Sequence, residues 1–536
     1  MTTLGVSKCL CQNKGHAIRR DFSPVIEVKV HQQLRAFLRE QGEPYWPHHL
    51  TIARLVARAL RLRRSALIQV GSTSGYHSHY QLSYLASALM WPDPVILVAP
   101  EAVQQRLLSV EIPRLCQWME INKPIRVDSH WPQTDFQGLL LTSPAAWLAN
   151  HLTQQRQFPP GVPTIVDGAD DLEDWARQFL TASIQPKDWD DLMLVYPAQV
   201  ETIRNARVQL TRAVFQHPPN PYECCLVDEP ELECLTYLYL ALQSWDTTLI
   251  PRNWRYFWQC LQTEGTLTWA EVARRQGRFS LYAAPVEVAS VLSQLWPRQP
   301  VVLFGSAFDL NAEAPLYRQR VGLGDLTCLK FSLDTREMIQ LYLPDGLPMP
   351  NTPQFQPALI QQVHELLSVS MAVQGLAVVI VGDLPLKAQV GSMLASEFGS
   401  RVQVEKTCLD DNGVLVTGWE FWQQHQDVLP APHLLVIATL PIPSLEDPRV
   451  AGRVAYYKRL RQDWFRLYLL PETLNKLQRA LAPVRARQGV VALLDSRVIH
   501  RSYGHQVLAA LSPCARANYL DSSLFTQTNC PILDSY

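Results

Sequence analysis

The sequence predicts an α/β protein built of two parallel-sheet lobes, the first interrupted by a helical insertion. Three observations carry that prediction. An apolar run, Ala66 to Val70, feeds the turn Gly71-Ser72-Thr73-Ser74-Gly75, and Leu82, Leu85, Ala86 and Leu89 then recur at helical spacing. Short apolar runs at Val95 to Ala99, Gly138 to Thr142 and Thr164 to Asp167 alternate with helical stretches, the pattern of a parallel sheet covered on both faces. The alternation restarts late in the chain, with strand candidates at Leu376 to Val381, Val402 to Val404, Val414 to Thr417, Leu434 to Ala438 and Gly489 to Leu494.

Taken in order, residues 1–24 show no periodic apolar pattern and read as a flexible arm. Val25 to Gln41 reads as an amphipathic helix with Val28, His31, Leu34 and Leu38 along one side. A second helix, with Ile52, Leu55, Val56 and Leu60 inward, follows the stop at Trp46-Pro47. Its other side carries Arg54, Arg58 and Arg61, which read as a solvated face. Residues 25–325 form the first lobe, and 172–299 within it break the alternation with helix-compatible, aromatic-rich sequence such as Trp254 to Trp258. Pro300 to Phe304 returns to sheet, 326–353 with its Pro-rich run Leu347 to Pro353 reads as a linker, and 354–536 form the second lobe.

Composition narrows the function. At 536 residues the chain has room for two or three full cores. Its apolar fraction is 47%, and no apolar run reaches the roughly 18 residues of a membrane span, so a soluble cytoplasmic protein with no membrane partner is expected. The net charge of −1 gives no global field toward nucleic acid, and such binding has to come from local patches. Eleven cysteines without paired C-x2-C spacing suit reduced thiols in a chain with no signal peptide, and no metal site is assigned.

The turn after the first strand has the place and shape of an anion cradle, in which backbone N–H groups at a helix start hold phosphate. An ordinary strand-to-helix turn reads the same way. Asp167 ends another strand, and a strand-end Asp beside such a loop is how a magnesium-nucleotide site is assembled.

More specific sequence lies in the second lobe. Gly489 to Arg497, with Asp495 and Arg497, followed by Tyr503-Gly504 and Leu508, resembles the closing signature of DinG/XPD-type DNA helicases of superfamily two. Leu440-Pro441-Ile442-Pro443 with Asp447-Pro448 resembles the family's L-P-F-x-x-P-x-D-P element, and Leu470-Pro471-Glu472 leads into Gln478 as in its sixth motif. The first lobe then falls into register. Gly71 to His77 aligns with G-T-G-T-G-K-[ST], Thr142-Ser143-Pro144 with T-N-H, Val166 to Asp174 with V-D-E-A-H-N-L-E-D, and Ser306-Ala307-Phe308 with S-A-T. The resemblance implies two RecA-like lobes, ATP and magnesium as cofactors, and DNA as partner. It also implies nucleotide contacts from Gly71, Ser72, Ser74 and Gly75, and catalytic roles for Asp167 and for Arg485, matched to an arginine finger by a two-residue shortening.

The chemistry residues of that family are missing together. Tyr76 stands where the loop Lys would reach the phosphates and His77 where a hydroxyl would hold magnesium. Gly168 replaces the Glu that activates water, Asp170 replaces the coupling His, and Ala482 replaces the first finger. These groups act on one transition state, so their joint loss is expected to leave little ATPase. The family's iron–sulfur cluster needs four cysteines between the loop and the Asp strand, where only Cys116 lies, so no cluster is expected.

Between Arg449 and Tyr468, basic residues interleave with aromatics, with Arg459, Arg461 and Trp464 the candidates for single-stranded DNA. An amphipathic helix packing its aromatics inward accounts for the same pattern. Three functions follow. The first is a degenerate helicase that binds nucleic acid or a protein partner without efficient ATP turnover. The others are an active ATP-dependent helicase with divergent motifs and a protein-interaction scaffold.

Overall fold

The computed structural model describes residues 25–41, 46, 48–71, 79–153, 158–243, 249–331, 338–410 and 412–526. The arm 1–24 and the turn residues Ser72, Ser74, Gly75, Tyr76 and His77 lie outside the described residues.

The first lobe is a seven-stranded sheet. Its early strands are β1 (Ala66–Gln69), β2 (Val95–Val98), β3 (Ile125–Val127), β4 (Leu139–Thr142) and β5 (Thr164–Asp167). An insertion then adds β6 (Ala182–Ile184), β7 (Cys224–Leu226), β8 (Thr266–Ala273) and β9 (Arg278–Pro285) before β10 (Val301–Gly305) and β11 (Thr327–Lys330) complete the lobe. The order is β11-β1-β10-β5-β2-β4-β3, with every pairing parallel. β1, β2, β4, β5 and β10 are buried along their whole length because helices cover both faces, which is why they read as continuous apolar runs. One face packs on Val30, Leu34, Phe37, Ile52, Val56 and Leu60 from the two N-terminal helices, Ile26–Glu40 and His49–Leu62. The buried stripe of the first helix is therefore Val30, Leu34 and Phe37, and Val28 is exposed, one step round from the face read off the sequence.

The second lobe repeats the plan with β12 (Ile339–Tyr342), β13 (Ala377–Ile380), β14 (Val402–Val404), β15 (Val414–Thr417), β16 (Leu434–Ile437), β17 (Val490–Leu493) and β18 (Cys514–Ala517). Its order is β14-β15-β13-β16-β17-β12-β18, again parallel throughout.

Two boundaries differ from the sequence reading. The stretch 326–353 is not a plain linker, since β11 belongs to the first sheet and β12 to the second, so the chain crosses between lobes after Lys330 and before Ile339. The Pro-rich run lies inside the second lobe. The insertion, expected to be helical, also holds a four-stranded antiparallel sheet, β6-β9-β8-β7. Its long hairpin β8–β9 alternates buried and half-buried residues at period two, and Trp269 stacks on Tyr282 across it at 5.3 Å. Trp189, Trp254, Phe257 and Trp258 are the insertion's core.

Candidate nucleotide cleft and lobe interface

Gly71, Ser306 and Asp167 sit at the carboxyl ends of β1, β10 and β5, three neighbouring strands, where open α/β sheets place their ligands. Gly71 adopts φ +75°, a left-handed conformation that glycine takes without strain. It lines a cleft of about 390 Å³ with Gln69, Ser306, Lys330 and Phe331 from the first lobe and Gln478, Arg485, Ala509 and Ser512 from the second. Five of the sequence-predicted residues thus fall at or beside one place: Gly71, Asp167, Ser306, Gln478 and Arg485.

Asp167 is buried, and its carboxylate is fully engaged. Tyr80 Oη donates to Oδ1, and Gln81 Nε2 and Tyr84 Oη both donate to Oδ2 at 2.8 Å. All three donors come from the helix His79–Met90 that follows the loop. Burial raises the Asp167 pKa against the lowering effect of these hydrogen bonds. Sequence reasoning missed the three donors, although Tyr80, Gln81 and Tyr84, at i, i+1 and i+4 near the start of the helix, were a visible signal.

Asp170, aligned in sequence with the family's coupling His, ties the end of β5 to the end of β10. Its Oδ2 accepts from the Ser306 backbone N–H at 2.8 Å and its Oδ1 from that of Ala307 at 2.7 Å. A Cβ at Gly305 would lie 2.8 Å from the same carboxylate, so the strand end is shaped around it. Burial and neighbouring Asp171 push the Asp170 pKa up, opposed by Arg479.

Arg485 does not reach into the cleft as a finger. It is 2% exposed, and its guanidinium donates to the carbonyls of Leu511 (2.6 Å), Pro513 (3.1 Å) and Ser512 (3.2 Å), where it holds the end of the helix Gly504–Leu511 in its own lobe. Asp495 and Arg497 form a forked pair in which Nη2 donates at 2.6 Å, while Asp495 also accepts from the Leu440 N–H at 2.8 Å, so both fix the end of β17. Tyr503 packs on Phe465 with ring centres 4.9 Å apart. Gly504 is required by space, since a Cβ would fall 1.8 Å from the Val498 carbonyl oxygen. Lys330, absent from the sequence reading, lines the cleft while donating to the Asp309 and Leu310 carbonyls at 2.9 and 2.8 Å, and burial lowers its pKa.

The two lobes are joined beside this cleft. Asn475 of the second lobe donates to the Ala307 carbonyl at 3.0 Å, and Arg479 pairs with Asp171. Glu173 receives Arg177 and Arg320 from its own lobe and Arg453 from the other at 3.4 Å, and Arg453 also meets Glu472 at 3.5 Å. Burial raises the Glu173 pKa, but Arg320, Arg177 and Arg453 outweigh it and bring it down to about 2. The Arg453 guanidinium lies 3.8 Å from the centre of the Tyr468 ring.

That interface takes up much of the basic-aromatic stretch. Val454, Tyr457, Tyr468 and Leu469 are buried with Val286 of the insertion, and a Cβ on Gly452 would lie 2.4 Å from Leu267. Pulling one such ring out would cost about 1.5–3 kcal/mol, the size of what stacking one base returns, roughly 1–3 kcal/mol. Tyr457 and Tyr468 are thus structural, as the amphipathic-helix reading has it. Arg459 and Arg461 are exposed, and Trp464 is half-buried with the Lys458 ammonium 5.3 Å above its ring.

Comparisons with known proteins agree with this arrangement. No protein-family profile matches the chain. Over 276 residues it is 25% identical to the ATP-dependent DNA helicase YoaA of Haemophilus influenzae, which covers 48% of this chain and 42% of that protein. The chain therefore spans less than half the length of that relative. Its fold matches an XPD helicase at TM-score 0.56 and 12% identity, over 89% of this chain and all of the other. Xpd4 of S. tokodaii matches at TM-score 0.54 and 12% identity, over 88% of this chain and all of the other. The chain is thus similar in fold to XPD helicases and, over about half its length, in sequence to a DinG-type helicase. Its two parallel sheets are the RecA-like lobes, and among the described residues no helix is long and apolar enough to cross a membrane.

Among the described residues, those at the strand ends do not fit the magnesium–ATP centre that this likeness implies. The carboxylate that would hold the ion's water shell is already bonded to three donors, Gly168 supplies no base, and the arginine matched to the finger is committed to main-chain carbonyls.

Proposed function

We propose that this DinG/XPD relative is a cytoplasmic, nucleic-acid-binding protein in which ATP hydrolysis, and with it unwinding, has been lost. The observation that carries this reading is Asp167, whose two oxygens are taken by Tyr80, Gln81 and Tyr84 next to a Gly at the place of the general base. To take up hydrated magnesium it would have to break bonds inside a buried site, each worth about 1–3 kcal/mol when its partner is left unsatisfied. Single-stranded DNA is the partner this reading favours, held by exposed Arg459 and Arg461 with Trp464, and the shared sequence with a protein named as a DNA helicase supports DNA. No iron–sulfur cluster is part of this reading.

The test is ATP hydrolysis with and without single-stranded DNA, beside a nucleotide-binding titration on the same preparation. We expect single-strand binding that weakens with salt and no turnover above background. DNA-stimulated turnover would overturn the reading. Tyr76 is expected to occlude nucleotide, so the double variant Tyr76→Lys, His77→Thr should gain ATP affinity without gaining turnover.

A further inference from the structure

The N-terminal helix pair carries a charge that the rest of the molecule does not share. Residues 25–64 hold eight Lys or Arg against three Asp or Glu, in a chain whose net charge is −1. The remaining residues are therefore net acidic, and the basic excess is a local feature of one end of the first lobe.

Ile26–Glu40 and His49–Leu62 lie side by side, and a groove runs between them lined by Val28, Leu55, Arg54, Arg58 and Arg61. Arg54, Arg58 and Arg61 recur at i, i+4 and i+7 on one side of the second helix, and all are exposed. On the first helix Arg35 and Arg39 are also exposed. One acidic group, Glu27, faces the groove, and it pairs with Arg61 at 2.7 Å. Among the described residues, no carboxylate lies within ion-pairing distance of Arg54 or Arg58. The sequence pattern alone read this as a solvated face. The structure adds a groove beside these arginines, with Glu27 the one acidic residue in its lining.

We propose that this groove is a second nucleic-acid surface, which takes the phosphate backbone of duplex DNA. Two features favour duplex over single strand. Its lining holds Val25, Val28 and Leu55 but no aromatic ring, so nothing there offers a base a stacking platform. The 14-residue second helix is also rigid and about 21 Å long, the length of roughly 6 base-pair steps, and fixed arginines suit a backbone of fixed phosphate spacing. The surface binds without sequence preference, because only backbone contacts are available to it. This proposal goes beyond the function proposed above and does not depend on it, since neither ATP turnover nor the Arg459 region enters it.

The experiment titrates a blunt duplex without single-stranded ends, and separately a single strand, at several salt concentrations against the full chain and two variants. One is Arg54→Glu, Arg58→Glu. The other is Arg212→Glu, a charge reversal at an exposed arginine away from the groove, on the insertion helix Val200–Gln216. The wild type is expected to bind duplex with a steep salt dependence. The double variant should lose roughly tenfold or more in duplex affinity and about 2 units of the slope of log K against log salt, with single-strand affinity retained. Arg212→Glu should leave both unchanged. The proposal is overturned by a wild type that binds no duplex, by a double variant with unchanged slope, or by an equal loss in the Arg212 control. Both sites are exposed, and unchanged circular dichroism and thermal unfolding confirm that the variants are folded.

Discussion

At the scale of single residues, two positions decide whether motifs of the family act as chemistry or as architecture. Gly504 is held by a contact no side chain allows, with the Val498 carbonyl 1.8 Å from where a Cβ would stand. Gly504→Ala should lower the thermal midpoint sharply or abolish soluble expression, since backbone, unlike a side-chain end, cannot yield cheaply; overpacking of this kind costs about 1–3 kcal/mol or more. Tyr84 shows the opposite dependence, on a bond rather than on space. Tyr84→Phe removes one of two donors to Asp167 Oδ2 inside the core and should cost about 1–3 kcal/mol in urea unfolding. An unchanged midpoint would mean that the carboxylate is hydrated, and with it the case against a magnesium role for Asp167 would weaken. The motif spelling marked Asp167, Ser306, Gln478 and Gly504 as positions of consequence. It could not show that Arg485 bonds three carbonyls or that Tyr80, Gln81 and Tyr84 converge on Asp167, because those partners are set by how a helix rolls on a sheet.

At the scale of elements, the contact between the helix Leu172–Leu180 and the helix Pro448–Arg459 holds a buried acid among three arginines. The Glu173 carboxyl titrates near 2 in the fold against 4.5 unperturbed. Its pKa is depressed by folding, so its contribution is complete above pH about 4.5 and is lost as the pH falls toward 2. Glu173→Gln should therefore lower the thermal midpoint at pH 7. The gap to the wild type should close as the pH is lowered through that window, as scanning calorimetry at stepped pH would read. A gap that stays constant would assign the loss to packing rather than charge. Helices and fully buried strands were legible because a two-sided sheet demands continuous apolar runs. The β6-β9-β8-β7 sheet was not, because its Trp, Tyr and Ala residues suit helix and strand alike and its partners lie up to about a hundred residues apart.

At the scale of the whole molecule, side-chain contacts fasten the two lobes to each other. Asn475–Ala307, Arg479–Asp171, the Glu173 cluster and the apolar cluster around Tyr457 and Tyr468 all cross between them or between insertion and second lobe. A motor that opens and closes on ATP needs two arrangements of similar energy, and breaking a buried pair by removing one partner costs about 3–5 kcal/mol. We expect the X-ray scattering profile to be the same with and without a non-hydrolysable ATP analogue in the presence of single-stranded DNA. A nucleotide-dependent change in the radius of gyration would mean that the fastening gives way.

By itself the sequence determined the class of fold, two parallel sheets in order, and the loss of Lys, Glu, His and finger from an otherwise readable series of motifs. It could do so because apolar periodicity and residue identity are local properties, written along the chain. Only the tertiary structure decided where the lobes divide, that the aromatics after Arg449 are an interface, and that Asp167 and Arg485 are bound into the framework. Those outcomes depend on which distant groups meet once burial forces every donor, acceptor and charge to find a partner.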